Sequence, residues 1–372
     1  MNFSKVFFIV VYAQLLVAYN LVGQSLKVSP LEEALTFSRI QTKQQGIRLL
    51  AVIQYRQDSI AAIDISEKGK DPITLFNQYG YEKLSQWIVD HKHKAVKICT
   101  RQLITPVELK RDHIGLGTNY RDHALETTGK AQPYLFPKIV APSLPYSEIL
   151  FDKEQLLDYE VELGFVALKD QNLKQKPTQM GLILCNDFTD RATLLRTLDV
   201  SNIHSGEGFT NAKSFDHFLP IGNLFVIPKN LQSFVAKLNL TLSVNNQIRQ
   251  KADCSLLMWD IEKMLVEIAH RKNQTWDFNG QQVSFYLPNE QLPARSLILS
   301  GTPGGTVFQG ISFGNKFFGF FRWAFGGWSR SIPKNAIELY IKKSKRKKNY
   351  LQPQDQVIIR ADYLGEIKTI IK

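Results

Sequence analysis

Residues 158–166 read Asp158-Tyr159-Glu160-Val161-Glu162-Leu163-Gly164-Phe165-Val166. Side chains in a strand alternate between its two faces, so Glu160 and Glu162 share one face and Val161, Leu163 and Phe165 share the other. Two carboxylates on one face, roughly 7 Å apart at about 3.3 Å rise per residue, repel each other unless water or a cation lies between them. A hard divalent ion bridges such a pair well, because magnesium takes oxygen ligands. The same alternation also fits a half-exposed strand with a solvated acidic face.

The next apolar run, Gly181 to Cys185, ends in Asn186-Asp187 and is followed by Phe188-Thr189-Asp190-Arg191. A carboxylate at the end of a buried strand sits at the rim of a site, and Asp187 would be a third oxygen ligand for the ion. Its alternative role is to cap the following helix. Upstream, Asn119-Tyr120-Arg121-Asp122-His123-Ala124-Leu125-Glu126 follows a Gly115-x-Gly117 turn. A helix stacks His123 and Glu126 on one face, and a carboxylate beside an imidazole suits it to general-base work. A surface ion pair is the plainer reading of that spacing. Lys213, in Asn211-Ala212-Lys213-Ser214-Phe215-Asp216, could bind a substrate carboxylate or be an ordinary surface lysine. Ser300-Gly301-Thr302-Pro303-Gly304-Gly305 lets backbone approach a ligand and brings the Thr302 hydroxyl, or is a simple turn. It lacks the Gly-Lys-Ser/Thr ending of a nucleotide-binding loop.

Outside these segments, short β-like runs dominate from residue 109 on: 160–167, 181–185, 238–244, 296–300 and 356–361. Residues 255–270 have the period of an amphipathic helix. The expected fold is a β-rich α+β architecture, closed or sandwich-like. Residues 46–65 read as two strands around the turn Arg56-Gln57-Asp58. Residues 73–93 read as a helix with Leu75, Tyr79, Leu84 and Ile88 inward. A small N-terminal domain is therefore placed at 30–108 and a second, larger one at 109–372. Stretches near 272–293 and 309–349 look inserted. The second holds Phe317, Phe318, Phe320, Phe321, Trp323, Phe325 and Trp328, then a basic run from Lys342 to Lys348. Aromatics beside cations over 314–348 suit contact with a membrane surface. The plainer reading is an aromatic loop packed on its own domain or a partner subunit, with the basic run a solvated loop.

The chain has 372 residues and a formal charge of +12, which favours anionic partners such as organic acids. The charge is concentrated in the one basic run, so nucleic acid is not an expected partner. A 44% hydrophobic and 22% charged composition excludes disorder over most of the length. Cys99, Cys185 and Cys254 form no CxxC pair and no zinc spacing, and each is expected as a buried small apolar residue. The apolar stretch from Val6 to Ala18 behind Lys5 is short for a membrane span and about right for a signal peptide. Residues 1–25 are therefore read as a signal peptide or anchor, with an exported or membrane-associated product; the protein is cytoplasmic if that segment is not a signal.

Taken in order, these segments resemble the fumarylacetoacetate hydrolase family. IGLGTNYRDHALE resembles the family's N-Y-x-x-H-x-x-E segment, and PYLFPKIVAPSL, with Phe136 and Lys138, its lysine-bearing segment. DYEVELGFV resembles the E-x-E metal strand, CNDFTDR the strand-end aspartate, NAKSFDHFLPIG the K-S-x-D run and SGTPGG the G-T-P loop. The resemblance spans about 104–372 and extends less specifically to 46–65. It implies an incomplete mixed β-roll, commonly dimeric, that binds Mg2+ or Mn2+ through Glu160, Glu162 and Asp187. It implies a water-activating dyad of His123 and Glu126, with Lys138, Lys213, Thr302 and Arg191 at the substrate. The implied reaction is hydrolysis of a carbon–carbon bond in an acylpyruvate or 1,3-diketo acid. Decarboxylation, isomerisation or hydration of a 2-keto acid on the same site, or a catalytically impaired binding protein, are the alternatives. Two departures bear on substrate: Arg191 is followed by Ala192-Thr193-Leu194 where the family carries a glutamine, and Pro293-Ala294-Arg295-Ser296 replaces its P-G-D.

Overall fold

The structure, a computed structural model, describes residues 26–127, 132–175, 179–199, 201–308 and 332–372. The segment read as a signal or anchor and the aromatic part of the second insertion lie outside the described residues.

The first strands are β1 (Ala34–Thr42), β2 (Gly46–Tyr55), β3 (Ser59–Asp64), β4 (Val96–Cys99), β5 (Leu103–Ile104), β6 (Asp112–Gly117), β7 (Tyr134–Ile139) and β8 (Tyr146–Ile149). They are followed by β9 (Val161–Ala167), β10 (Met180–Asn186), β11 (Ile221–Pro228), β12 (Asn239–Val244), β13 (Gln247–Asp253), β14 (Leu297–Leu299), β15 (Gln356–Ala361) and β16 (Gly365–Ile371). An eleven-stranded sheet runs β4-β3-β2-β1-β11-β10-β9-β14-β6-β7, with β5 on β1. A five-stranded sheet runs β13-β12-β15-β16-β8. Both are mixed: β14 runs parallel to β6, and β16 parallel to β8. The fold is thus β-rich α+β, as the strand pattern suggested, with the mixed sheets that the family resemblance implied. Residues 34–104 extend the same sheet that carries the site, because β1 pairs directly with β11.

β9 lies at the middle of the large sheet. Its Val161, Leu163 and Phe165 pack with Leu240, Leu242, Ile359 and Ile367 of the five-stranded sheet. Its Val166, on the opposite face, packs with Ile183, Leu297 and the helix α1 (Pro72–His91). Burial on both faces leaves Glu160 4% and Glu162 1% exposed, which excludes the solvated acidic face.

α1 starts at Asp71, whose side chain accepts from Ile73 N and Thr74 N, with Pro72 in the first turn. Gly80 breaks its helical phase at φ 75°, so Tyr81 is buried and Tyr79 only half-buried, against the expected inward set. Arg295, the residue that departs from the family's pattern, donates to Asp71 Oδ1 at 2.7 Å and to Glu108 O at 3.0 Å. It fastens the start of α1 to the segment that leads into β14 of the large sheet.

The remaining helices are α2 (Arg121–Thr127), α3 (Arg191–Thr197), α4 (Phe209–Lys213), α5 (Leu231–Ala236), α6 (Ile261–His270) and α7 (Ile332–Lys347). α6 begins six residues later than its amphipathic pattern, because Asp260 is the residue that caps it, accepting from Lys263 N. The stretch expected to be the first insertion contains a hairpin, Trp276–Phe278 with Gln281–Val283. Trp276 is buried and donates its indole N–H to Ser205 O at 2.9 Å. The basic run is the exposed end of α7 rather than a loop, and Ile337 and Ile341 bury that helix against Leu195 of α3. Cys185 and Cys254 are buried as expected, whereas Cys99 is exposed at the edge strand β4. No helix among the described residues is long and apolar enough to cross a membrane.

His113 on β6 is buried with its Nε2 2.9 Å from Val140 O. Burial depresses its pKa from near 6.5 to about 3, with Lys138 adding to the effect against that hydrogen bond. A depressed folded pKa means the unfolded chain takes up the proton first. The stability is full above about pH 6.5 and falls as the pH drops toward 3. The expected contribution is a loss of up to about 1.4 kcal/mol per pH unit. Urea unfolding between pH 7 and about 4 measures it, and His113→Gln, which keeps a donor for Val140 O, should remove that share of the slope.

Candidate metal centre

Alternation along β9 and pairing with β10 build the acidic cluster. Glu162 sits opposite Cys185 on β10, and Asp187 follows Cys185 by two residues, so all three side chains face the same way. Asp187 N donates to Glu160 O at 2.9 Å, which locks the strand end in place. The cap of α3 is Asp190, which accepts from Ala192 N and Thr193 N, so Asp187 is free of that role. Glu160, Glu162 and Asp187 are buried and each offers a carboxylate oxygen within 4.8 Å of the others.

Four acids and three cations share this interior. Lys213 Nζ lies 2.7 Å from Glu160 Oε2 and 2.8 Å from Asp187 Oδ2. Arg191 bridges Glu160 Oε1 at 2.5 Å and Asp158 Oδ2 at 2.9 Å. Lys138 Nζ lies 2.6 Å from Asp187 Oδ1, an ion pair at an angle unsuited to a hydrogen bond, and donates to Lys213 O and Phe218 O. Glu162 has no cationic partner of its own. Its Oε2 accepts from Gly301 N at 2.8 Å, and its Oε1 is buried with no hydrogen-bond partner.

The titration behaviour follows this asymmetry. Burial raises both glutamates. At Glu160 the charges of Lys213 and Arg191 outweigh it and hold the carboxyl at about 2. At Glu162 burial and the neighbouring Asp187 charge act together and push the carboxyl well above its ordinary value. An unpaired buried carboxylate is costly, so the lone Oε1 is the atom that asks for a cation. Three carboxylate oxygens within 4.8 Å of one another are near enough for a single hard cation to be shared among them. The residues present therefore fit a divalent metal: three carboxylates, one with an orphaned oxygen, and one negative charge in excess.

His123 on α2 is buried with Nδ1 unpartnered. Burial, with Arg191 and Lys213 adding to it against the Glu160 charge, depresses its pKa to about 4, so the imidazole is neutral near pH 7. Among the described residues no hydrogen bond joins it to Glu126. Glu126 is exposed and accepts from Gly305 N at 3.1 Å, while Asp122 accepts from Gly304 N at 3.1 Å. The glycine loop thereby pins α2 through two backbone N–H groups; a Cβ on Gly304 would stand 2.9 Å from both carboxylates.

His123, Glu160, Arg191, Lys213 and Thr302 line one cavity of about 290 Å³, and Lys138 and Asp187 stand behind it. Lys213 is not a free surface lysine but a fully buried bridge between two acids. Thr302 donates to Val161 O at 3.1 Å and accepts from Gln250 Nε2 at 2.9 Å. Two residues of the site went unassigned in the sequence. Asp158 holds Arg191 and accepts from Val307 N and Phe308 N; it shares the face of Glu160 by the same period of two, which was the available signal. Gln250, which also accepts from Val161 N, gives no local signal.

Two mixed sheets enclose a buried acid triad consistent with a divalent-metal site, with a histidine at the cavity, in an α+β fold. A family model described as the fumarylacetoacetate (FAA) hydrolase C-terminal domain matches residues 112–372. The chain belongs to the fumarylacetoacetate hydrolase family, whose enzymes act on keto acids. An uncharacterized protein of Methanocaldococcus jannaschii is 28% identical over 204 residues, 51% of this chain and 79% of that protein. An uncharacterized Staphylococcus aureus protein is 26% identical over 179 residues, 45% of this chain, and the match spans about half, 55%, of its length. Among solved structures, fumarylacetoacetate hydrolase from Exiguobacterium antarcticum aligns with a TM-score of 0.58 at 18% identity, covering 91% of this chain and 99% of that one. A probable 2-hydroxyhepta-2,4-diene-1,7-dioate isomerase from Mycobacterium abscessus aligns with a TM-score of 0.54 at 17% identity, covering 90% and 98%. These two share the fold.

Proposed function

We propose that this chain hydrolyses the carbon–carbon bond of an acylpyruvate, a 2,4-diketo acid, with Mg2+ or Mn2+ held by Glu160, Glu162 and Asp187. The observation that carries the reading is the orphaned Glu162 Oε1 within a triad otherwise compensated by Lys138, Lys213 and Arg191. A bound divalent ion supplies Lewis acidity toward the carboxylate and 2-keto oxygens of the substrate and offsets the negative charge that develops there.

The chain's own groups do the rest. Lys213 and Arg191 hold Glu160 ionised and fixed, so the ligand set needs no reorganisation when substrate enters. His123, neutral near pH 7, takes a proton from water whose oxygen adds to the distal carbonyl. Cleavage leaves a carboxylic acid and the three-carbon enolate, and the proton held on His123 returns to the carbon. Water is consumed and no oxidant is needed. In the arrangement seen Glu126 positions α2 by accepting from Gly305 N on Oε2, and a dyad role toward His123 would use its other oxygen.

The family resemblance also brings a homodimer to this reading. The fold is shared by a probable 2-hydroxyhepta-2,4-diene-1,7-dioate isomerase as well as by a fumarylacetoacetate hydrolase. NMR product analysis on acylpyruvates and oxaloacetate in the presence of Mg2+ therefore tests the reaction. Pyruvate and a carboxylic acid in equal amounts are the expected products from an acylpyruvate. Carbon dioxide from oxaloacetate with acylpyruvates untouched would replace this reading by decarboxylation.

A further inference from the structure

The cavity that holds His123 and Glu160 changes character away from them. Its other wall is made by Leu194, Leu195 and Leu198 of α3 and the residue after it, Phe209 of α4, Phe308 and Ile337 of α7. Leu194, Leu195 and Ile337 are each 4% exposed, so they form a packed surface rather than loose side chains. Two apolar clusters meet there. One joins Leu195 and Ile337 to Leu156 and Tyr350, the other joins Leu194 and Phe209 to Tyr134 and Phe136, and Leu198 packs against both. A distal carboxylate on a substrate would need a cation on this wall. Among the described residues, the cations lining the cavity are Arg191 and Lys213. Both are spent: Arg191 on Asp158 and Glu160 with its flat face 5.6 Å from the Phe308 ring, Lys213 on Glu160 and Asp187. Arg196, also on α3, points away to Glu338 of α7 at 2.9 Å.

We propose that this site selects 2-oxo acids whose distal group is an apolar acyl or alkyl chain and rejects those that end in a second carboxylate, with Leu194 and Leu198 as the selecting residues. The inference rests on the reading of the acid triad as a keto-acid centre, and it assigns the substrate class of that centre. An apolar tail is drawn from water onto the leucine and phenylalanine wall. A terminal carboxylate there would be desolvated with no free cation among the described lining residues to pair with it.

Calorimetry on the Mg2+-loaded protein tests this without turnover, using oxalate, 2-oxobutanoate, 2-oxohexanoate, 2-oxooctanoate and 2-oxoadipate. Affinity should rise about fourfold per methylene from 2-oxobutanoate to 2-oxohexanoate. The dicarboxylate 2-oxoadipate should bind at least about tenfold more weakly than 2-oxohexanoate of the same carbon count. Leu198→Lys, at a half-buried position, should narrow or reverse that gap, and Leu194→Ala should flatten the chain-length series. If oxalate and 2-oxobutanoate bind but chain length has no effect, or 2-oxoadipate binds as tightly as 2-oxohexanoate, the apolar-tail assignment is overturned and the keto-acid reading stands. If neither oxalate nor any 2-oxo acid binds, the keto-acid reading fails and takes this inference with it.

Discussion

Glu162→Gln should reduce the affinity for Mg2+ and Mn2+ on the order of 100-fold or more, and turnover should fall with it. Loss of a group that merely orients a ligand costs about 10–100-fold in metal affinity, and Glu162 is itself a ligand in this account. The substitution is also the clean one to make. Glu162 keeps no cation in place, and the amide oxygen of glutamine can still accept from Gly301 N. Burial and the Asp187 charge both disfavour its ionised form in the metal-free protein, so a neutral amide should leave metal-free stability equal or higher. Glu160→Gln must behave differently. It takes one of two acids from each of Lys213 and Arg191, leaving them Asp187 and Asp158, and breaking one side of a buried pair costs up to about 3–5 kcal/mol. Isothermal titration with Mn2+ and urea unfolding of both variants separate the two roles. Equal destabilisation by both, with metal affinity intact in Glu162→Gln, would mean that the three acids serve only the ion-pair network.

His123→Ala should leave metal affinity within about threefold and lower kcat by about 10²–10⁴, the range spanned by positioned general acids and bases. The imidazole lines the cavity, is neutral near pH 7 and has an unpartnered nitrogen, yet it touches none of the carboxylates by a hydrogen bond. Normal turnover of a verified substrate by this variant would remove His123 from the chemistry. Glu126→Gln refines the result. A glutamine oxygen can still accept from Gly305 N, so a positioning role predicts little change, whereas a working dyad predicts a loss of kcat.

The features legible in the sequence were those carried by local periodicity. Period two along 158–166 placed Glu160 and Glu162 on one face, and the two carboxylates do converge, Glu160 just before β9 and Glu162 within it. The turn at 56–58 and the strands on either side of it are also local, and β2 and β3 flank it. What local pattern could not carry was anything fixed by contacts distant in sequence. Glu126 is paired to Gly305, 179 residues on, and no helical spacing announces that. The start of α6 at Ile261 rather than at Ser255 depends on which of several polar residues wins the cap, and Asp260 wins. The solvated loop expected of the basic run became a helix end because Ile337 and Ile341 find an apolar partner in α3. Lys138 and Lys213 read as possible substrate contacts, yet burial makes them partners of the acids, a role visible only once the strands are assembled.

Wild-type crystals soaked in Mn2+, with diffraction recorded at the manganese absorption edge, reach the metal centre most directly. The expected result is a single anomalous peak at about 2.0–2.3 Å from one oxygen each of Glu160, Glu162 and Asp187. No peak there at saturating Mn2+, with Lys213 still bridging Glu160 and Asp187, would contradict it.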